Sequence, residues 1–138
     1  MSIVIDNSVS IAWCMSDEDA PVADKAMSRV VEEGGIVPGI WWYELRNALL
    51  MNERRGRISR QQVADTLSDS QSLGISVDHK HDETLILELA QQFELTIYDA
   101  AYLEVALRRS LPLATLDERL RQAAEAVGIV IVGSHGNL

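Results

Sequence analysis

Short apolar runs alternate along the chain with longer stretches in which apolar residues recur at helical spacing. Runs that are rich in Ile and Val are typical of strands buried on both faces of a parallel sheet. We predict such strands at residues 2–5, 75–77 and 128–132, and two further short strands at residues 35–38 and 112–114. The pattern therefore predicts a sheet of about five strands.

The stretches between these runs predict helices. Glycines at positions 34, 35, 56 and 74 follow such stretches, as expected where helices end. The predicted helices span residues 20–33, 39–55, 59–73, 82–93, 99–109 and 117–126, and a further helix begins near Asn7. Alternation of strand and helix indicates an α/β fold with helices on both faces of a parallel sheet, and we expect residues 1–138 to form a single domain.

Composition agrees with an ordinary globular fold. The 138 residues are 47% hydrophobic and 24% charged, with three prolines, which excludes the disordered and fibrous classes. The single cysteine, Cys14, lies in an apolar helical segment and is expected to be a buried, inert thiol. Because the chain shows neither a basic leader nor about 20 consecutive apolar residues, we expect a cytoplasmic protein.

The formal net charge of −9 argues against extended contact with nucleic acid, since affinity for phosphate comes mainly from Lys and Arg. The arginines, however, come in groups, which permits local basic patches. Such groups either guide an RNA backbone, bind an acidic partner or form solvated surface. The groups are Arg54, Arg55, Arg57 and Arg60, then Arg108 and Arg109, then Arg119 and Arg121.

Two acids follow predicted strands. Asp6 comes directly after the first strand, and Asp117 lies three residues beyond Ala114. In open α/β sheets, ligands bind beyond the carboxyl ends of the strands, so both side chains are expected at one rim. Asp6 is equally suited to cap a helix. For Asp117 we predict no cap role, because Thr115 and Glu118 have the spacing of a capping box.

Two further acids lie in predicted helices. Asp99 opens a helix and, taken alone, fits a cap as well as a ligand. Glu44 shares an apolar helical face with Ile40 and Ala48, where an unpaired carboxylate costs several kcal/mol or more. We therefore expect Glu44 to have a partner such as Arg or a metal ion, with Asn47 holding it in position.

Taken together, these four carboxylates would repel one another unless a cation lies between them. Oxygen ligands suit Mg²⁺ or Mn²⁺, and Mg²⁺ binds through few carboxylates plus water and substrate phosphate. The set therefore predicts a metal site for phosphodiester chemistry, made of Asp6, Glu44, Asp99 and Asp117.

Four segments, in this order and spacing, resemble the PIN-domain family, and more narrowly the VapC-type ribonuclease toxins of toxin–antitoxin pairs. The segments are VIDNS at 4–8, WYELRNAL at 42–49, YDAAYL at 98–103 and LATLD at 113–117. The resemblance runs nearly end to end. One departure is Leu116, where many relatives carry a small residue.

The resemblance implies a three-layer α/β/α fold and a Mg²⁺-dependent endoribonuclease, with Mn²⁺ as a possible substitute. It implies that Asp6, Glu44, Asp99 and Asp117 form the catalytic metal site, supported by Ser8, Asn47 and Thr115. Hydrolysis by a metal-activated water would leave a 5′-phosphate and a 3′-hydroxyl. It also implies a homodimer and inhibition by a cognate VapB-like antitoxin.

Aromatic residues bear on the expected partners. One predicted helix carries apolar residues on almost all of its sides, namely Trp41, Trp42, Tyr43, Leu45, Leu49 and Leu50. A helix that packs one face on the core needs only a single apolar stripe. Either the helix is buried within the domain or a partner covers the surplus.

Other functions remain open from sequence. The acidic site also suits a nuclease acting on DNA or a metal-dependent phosphatase, and a PIN-like fold without catalysis would serve as a binding module. The segment from His79 to Asp82 lacks the second ligand pair of a zinc site, so we interpret it as a polar loop that ends in a helix cap.

Overall fold

The computed structural model describes residues 1–15 and 20–133. Four short parallel strands form one sheet, β1 (Ile3–Ile5), β2 (Gly35–Pro38), β3 (Ile75–Asp78) and β4 (Leu113–Ala114), in the order β3-β2-β1-β4. The α/β class and the parallel sheet are confirmed. The run at 128–132, predicted as a fifth strand, forms only an isolated bridge from Ile131 to Leu113.

Seven helices are described in the same residues. They are α1 (Asn7–Cys14), α2 (Pro21–Glu33), α3 (Ile40–Arg54), α4 (Arg60–Ser72), α5 (Glu83–Phe93), α6 (Ile97–Arg109) and α7 (Glu118–Ala126). None of the described helices is both long and apolar enough to cross a membrane.

The strand order determines where the helices lie. The chain steps from β1 to β2 to β3 in one direction and then returns to β4 on the other side of β1. Because such crossovers are right-handed, α1–α4 cover one face and α5–α7 cover the other. Contacts within each group, α1 with α2 and α3, and α6 with α5 and α7, agree with this layering.

The core lies on both sides of β1. Ile3, Val4 and Ile5 are fully buried, as are Leu103 on one helical layer and Val30 on the other. The Trp41 indole nitrogen donates to the Ser10 hydroxyl at 2.8 Å, which joins α3 to α1. This packing places the carboxyl ends of β1 and β4 side by side, at the point where the strand order reverses. That point is the usual ligand crevice of an open α/β sheet.

Candidate active site

Asp6 lies at the centre of this crevice. Only 3% of the residue is exposed. Its Oδ1 accepts hydrogen bonds from the Ser8 hydroxyl at 2.6 Å and the Val9 amide at 3.2 Å, and its Oδ2 accepts from the Thr115 hydroxyl at 2.5 Å. Asp6 therefore caps α1, as one sequence interpretation held, and also ties β1 to the segment that follows β4.

Ser8 and Thr115, expected as supporting residues, both contact Asp6 and the loop after β4. The Ser8 hydroxyl accepts from the Leu116 amide at 2.9 Å, and the Thr115 hydroxyl accepts from the Asp117 amide at 3.0 Å. Each hydroxyl thus donates to the Asp6 carboxylate and accepts from backbone, so its hydrogen-bonding direction is determined. This network holds the carboxylate in one orientation.

The capping prediction for Asp117 is wrong. Asp117 is itself the cap of α7, and its Oδ1 accepts from the Leu120 amide at 2.9 Å. The hydroxyl of Thr115 is turned toward Asp6 and is not used in a capping box with Glu118. Asp117 is exposed at the rim, so one carboxylate oxygen caps the helix while the side chain remains accessible to solvent.

Asp99 is not a cap, which removes one of its two interpretations. Thr96 caps α6 and accepts from the Asp99 amide at 3.0 Å, leaving the carboxylate in the first turn without that task. Its pKa is raised, first by burial and then by the charge of Asp117. Asp99 therefore lies close enough to Asp117 for the two carboxylates to repel.

Glu44 is half-buried on α3 and has a partner that the sequence analysis missed. The Tyr102 hydroxyl of α6 donates to Glu44 Oε1 at 2.7 Å. Asn47, expected to hold Glu44, is exposed and makes no side-chain hydrogen bond within residues 1–15 and 20–133. Burial raises the pKa of Glu44, the Tyr102 hydrogen bond lowers it, and the charge of Asp99 raises it again.

The four acids form one electrostatic group with Asp99 at its centre. Burial raises the pKa of Asp6 to about 6, against the hydrogen bonds from Ser8, Thr115 and Val9, and the charge of Asp99 adds to the rise. Asp99 thus acts on Asp6 and Glu44 and is acted on by Asp117. Among the described residues, no Lys or Arg contributes to the shifts of these groups.

The donor chemistry suits a hard divalent cation, since carboxylate oxygens surround a rim that lacks compensating positive charge. Among the described residues, no three His, Cys, Asp or Glu side chains lie close enough together to bind one metal ion directly. Mg²⁺ fits this arrangement because it usually keeps several water ligands and binds through one or two carboxylates.

One of the basic groups forms ion pairs within the domain. Arg108 and Arg109 lie at the surface, and both pair with the buried Asp78. Arg121 pairs with Glu118 and Glu125 on α7.

Two further predictions concern single side chains. Asp82 caps α5, as predicted, with its Oδ1 accepting from the Leu85 amide. Cys14 is half-buried, and burial raises its thiol pKa, as expected of an inert side chain.

Known proteins share this sequence pattern and fold. The sequence is 28% identical to Ribonuclease VapC3 of Pyrobaculum aerophilum over 130 residues, covering 92% of this chain and 98% of the relative. The PAE2754 crystal structure, from the same organism, superposes with a TM-score of 0.68 at 25% identity, covering 96% of this chain and 91% of that one.

Two more distant crystal structures share the fold. VapC20 of Mycobacterium tuberculosis, described as a Sarcin-Ricin loop cleaving toxin, has a TM-score of 0.60 at 15% identity, covering 94% of this chain and 97% of its own. FitAcB of Neisseria gonorrhoeae has a TM-score of 0.55 at 16% identity, with coverages of 94% and 95%. The sequence profile of the PIN domain matches residues 3–126. The chain therefore belongs to the PIN domain family, with the resemblance to VapC proteins that its four segments predict.

Proposed function

We propose that this protein is a Mg²⁺-dependent endoribonuclease and the toxin of a toxin–antitoxin pair. The observation that carries the proposal is the group of carboxylates at the strand reversal, in which Asp99 raises the pKa of Asp6 and Glu44 and its own pKa is raised by Asp117, with no Lys or Arg among the causes of these shifts. A module without catalysis gains nothing from this arrangement, since it raises the free energy of the folded state. The relationship to a curated VapC ribonuclease supports RNA as the substrate.

Asp6, Glu44, Asp99 and Asp117 are the residues that would hold the ion, one or two of them by direct contact and the others through its water ligands. When bound, Mg²⁺ acidifies a water molecule and neutralises charge that grows on the phosphate. Ser8 and Thr115 keep the Asp6 carboxylate oriented, and Tyr102 does the same for Glu44. An acid of this group that does not bind the ion directly would accept the proton released from the attacking water.

Cleavage of RNA tests the proposal. The purified, antitoxin-free protein is expected to cut total RNA into defined fragments with 5′-phosphate ends in Mg²⁺ or Mn²⁺, and to leave it intact in EDTA. Asp6→Asn should lose this activity, while Asp24→Asn, a matched change at an exposed helical position, should retain it. RNA that stays intact under every metal condition, with folded protein, would sink the proposal, and cleavage of DNA instead would transfer it to that substrate.

Thermal unfolding gives a second test that needs no substrate. Mg²⁺ is expected to raise the melting temperature above about pH 6 and to lose this effect as the pH falls, because Asp6, with a pKa of about 6, must be deprotonated to bind it. Without metal, the melting temperature is expected to rise as the pH falls through about 6. The raised pKa of Asp6 means that the folded protein binds this proton more tightly than the unfolded chain does. A Mg²⁺ shift of equal size at pH 5 and pH 8 would contradict this assignment.

The exposed face of α3 supports the proposed partners. Trp41, Leu45 and Leu49 are buried, but Trp42 and Tyr43 are 48% and 66% exposed. The Arg46 guanidinium lies 3.8 Å from the centroid of the Trp42 ring. Aromatic residues and Arg are enriched in protein interfaces. We infer that a second copy of the chain or the cognate antitoxin covers this face.

A further inference from the structure

A cavity of about 470 Å³ opens at the carboxyl ends of β2 and β3, outside the acidic site. Its walls include the apolar side chains of Ile40, Ile86 and Ile97, and residues His79–His81 also line it. Cavities of this size with apolar walls and a few polar groups are typical of small-ligand sites.

Hydrogen bonds to charged side chains fix the backbone of the loop that carries these polar residues. Lys80 donates its amide to Asp78 Oδ1 at 2.9 Å and accepts at its carbonyl from Arg108 at 3.0 Å, while the Asp82 amide donates to Glu104 Oε2 at 3.0 Å. Asp78 and Glu104 are 5% and 1% exposed. A buried charge cluster therefore fixes the backbone of a short surface loop at three points.

The side chains of this loop remain free. Within the described residues, those of His79, Lys80 and His81 are exposed and form no ion pair or hydrogen bond. The acids beneath them are already balanced, because Arg108 pairs with Asp78 and Glu104 and Arg109 pairs with Asp78. Two imidazoles and one ammonium group thus project from a fixed backbone, and no internal partner occupies them.

The cavity adjoins the acidic site. On α3, Ile40 lines the cavity and precedes Glu44 by one helical turn, so the two residues lie on the same face of the helix. In the strand order β3-β2-β1-β4, β2 lies beside β1 and β3 lies one strand further from it, and neighbouring strands are about 4.8 Å apart. A single RNA strand that crosses the acids along this edge would reach the cavity with an adjacent nucleotide.

We propose that this cavity is a nucleotide subsite that selects the base next to the cleaved phosphodiester. The apolar walls accept the faces of a base, the imidazoles stack on it or hydrogen-bond to its edge, and Lys80 contacts phosphate. This inference rests on the proposed ribonuclease function and names where its sequence preference arises.

Nucleotide titration tests the subsite without cleavage. When the four nucleoside 5′-monophosphates are added in turn to the isotope-labelled protein, saturable NMR shifts are expected at the His79 and His81 rings and the Ile97 methyls, with different affinities for different bases. Ala101→Leu, which narrows the cavity, and His81→Ala should each weaken binding about tenfold. Ala64→Leu, the same change at an exposed position on α4, should leave it unchanged.

Mapping of cut sites is the second measurement. The two cavity variants should show reduced Mg²⁺-dependent cleavage without base preference beside the cut. The proposal is overturned if millimolar nucleotide shifts none of these resonances, or if the variants cut at wild-type positions. It is also overturned if the wild type is a dimer that binds no nucleotide and light scattering shows that the two variants are monomers. The cavity would then be part of a dimer interface. If the wild type cleaves no RNA, the ribonuclease proposal and the role of the cavity in selecting cut sites both fail, whereas nucleotide binding by the cavity is decided separately by the titration.

Discussion

Replacing Asp99 with asparagine is expected to abolish most RNA cleavage and, in the absence of metal, to make the protein more stable. Asp99 is the centre of the acidic group, since its charge acts on both Asp6 and Glu44. Loss of a carboxylate from a metal site should lower the cleavage rate at least about a hundredfold. Loss of its charge should raise the melting temperature of the metal-free protein by a few degrees, roughly the effect of 1 kcal/mol.

The two readouts separate a site residue from a structural one. Cleavage in Mg²⁺ and melting temperature in EDTA are measured on the same preparations, with Asp65→Asn as the control at an exposed position on α4. If Asp99→Asn loses activity and stability together, Asp99 supports the fold and not the reaction. If it cleaves RNA at the wild-type rate, Asp99 lies outside the site.

Much of this site could be predicted from sequence because its acids follow signals of local structure. Asp6 ends an apolar run and Asp117 follows another, so the edge of the sheet on which they lie follows from the direction of parallel strands. Glu44 was recognisable because a carboxylate on an apolar helical face requires a partner. These inferences need only periodicity and the rule that parallel strands end at one edge.

The partners of these acids were not predictable in the same way. Tyr102 lies 58 residues from Glu44, and their contact depends on how α3 and α6 meet across the sheet. Asn47, one turn from Glu44, was the local candidate and points elsewhere. The prediction of a fifth strand was wrong for a related reason. Ile131 pairs with β4, which has only two residues, so little strand backbone is available for further pairing.

Arg108 has one partner that the sequence spacing could have predicted and one that it could not. Glu104 and Arg108 have the i,i+4 spacing of a helical ion pair, which the sequence already contains. Asp78, 30 residues away, completes the cluster only through the packing of β3 against α6. An arginine pair at the surface is therefore part of an ionic network whose two acids are buried.

Replacing Arg108 with methionine is accordingly expected to destabilise the protein by about 3 kcal/mol, because it leaves Glu104 charged, 1% exposed and without its cation. Arg109 still pairs with Asp78, whose pKa stays near 2 in the intact protein because the hydrogen bonds from Arg109 and Arg108 outweigh the effect of burial. The melting temperature should fall by roughly 10 °C. Arg55→Met, at an exposed site, should change the free energy of unfolding by less than about 0.5 kcal/mol.

A double variant shows whether charge or packing causes the loss. Glu104→Gln combined with Arg108→Met removes both charges while the glutamine can still accept from the Asp82 amide, so it should recover much of the stability lost in Arg108→Met alone. Chemical denaturation of the four proteins completes the cycle. If the double variant is no more stable than Arg108→Met, the side chain acts through packing. The cluster would then fix the His79–His81 loop by shape and not by charge.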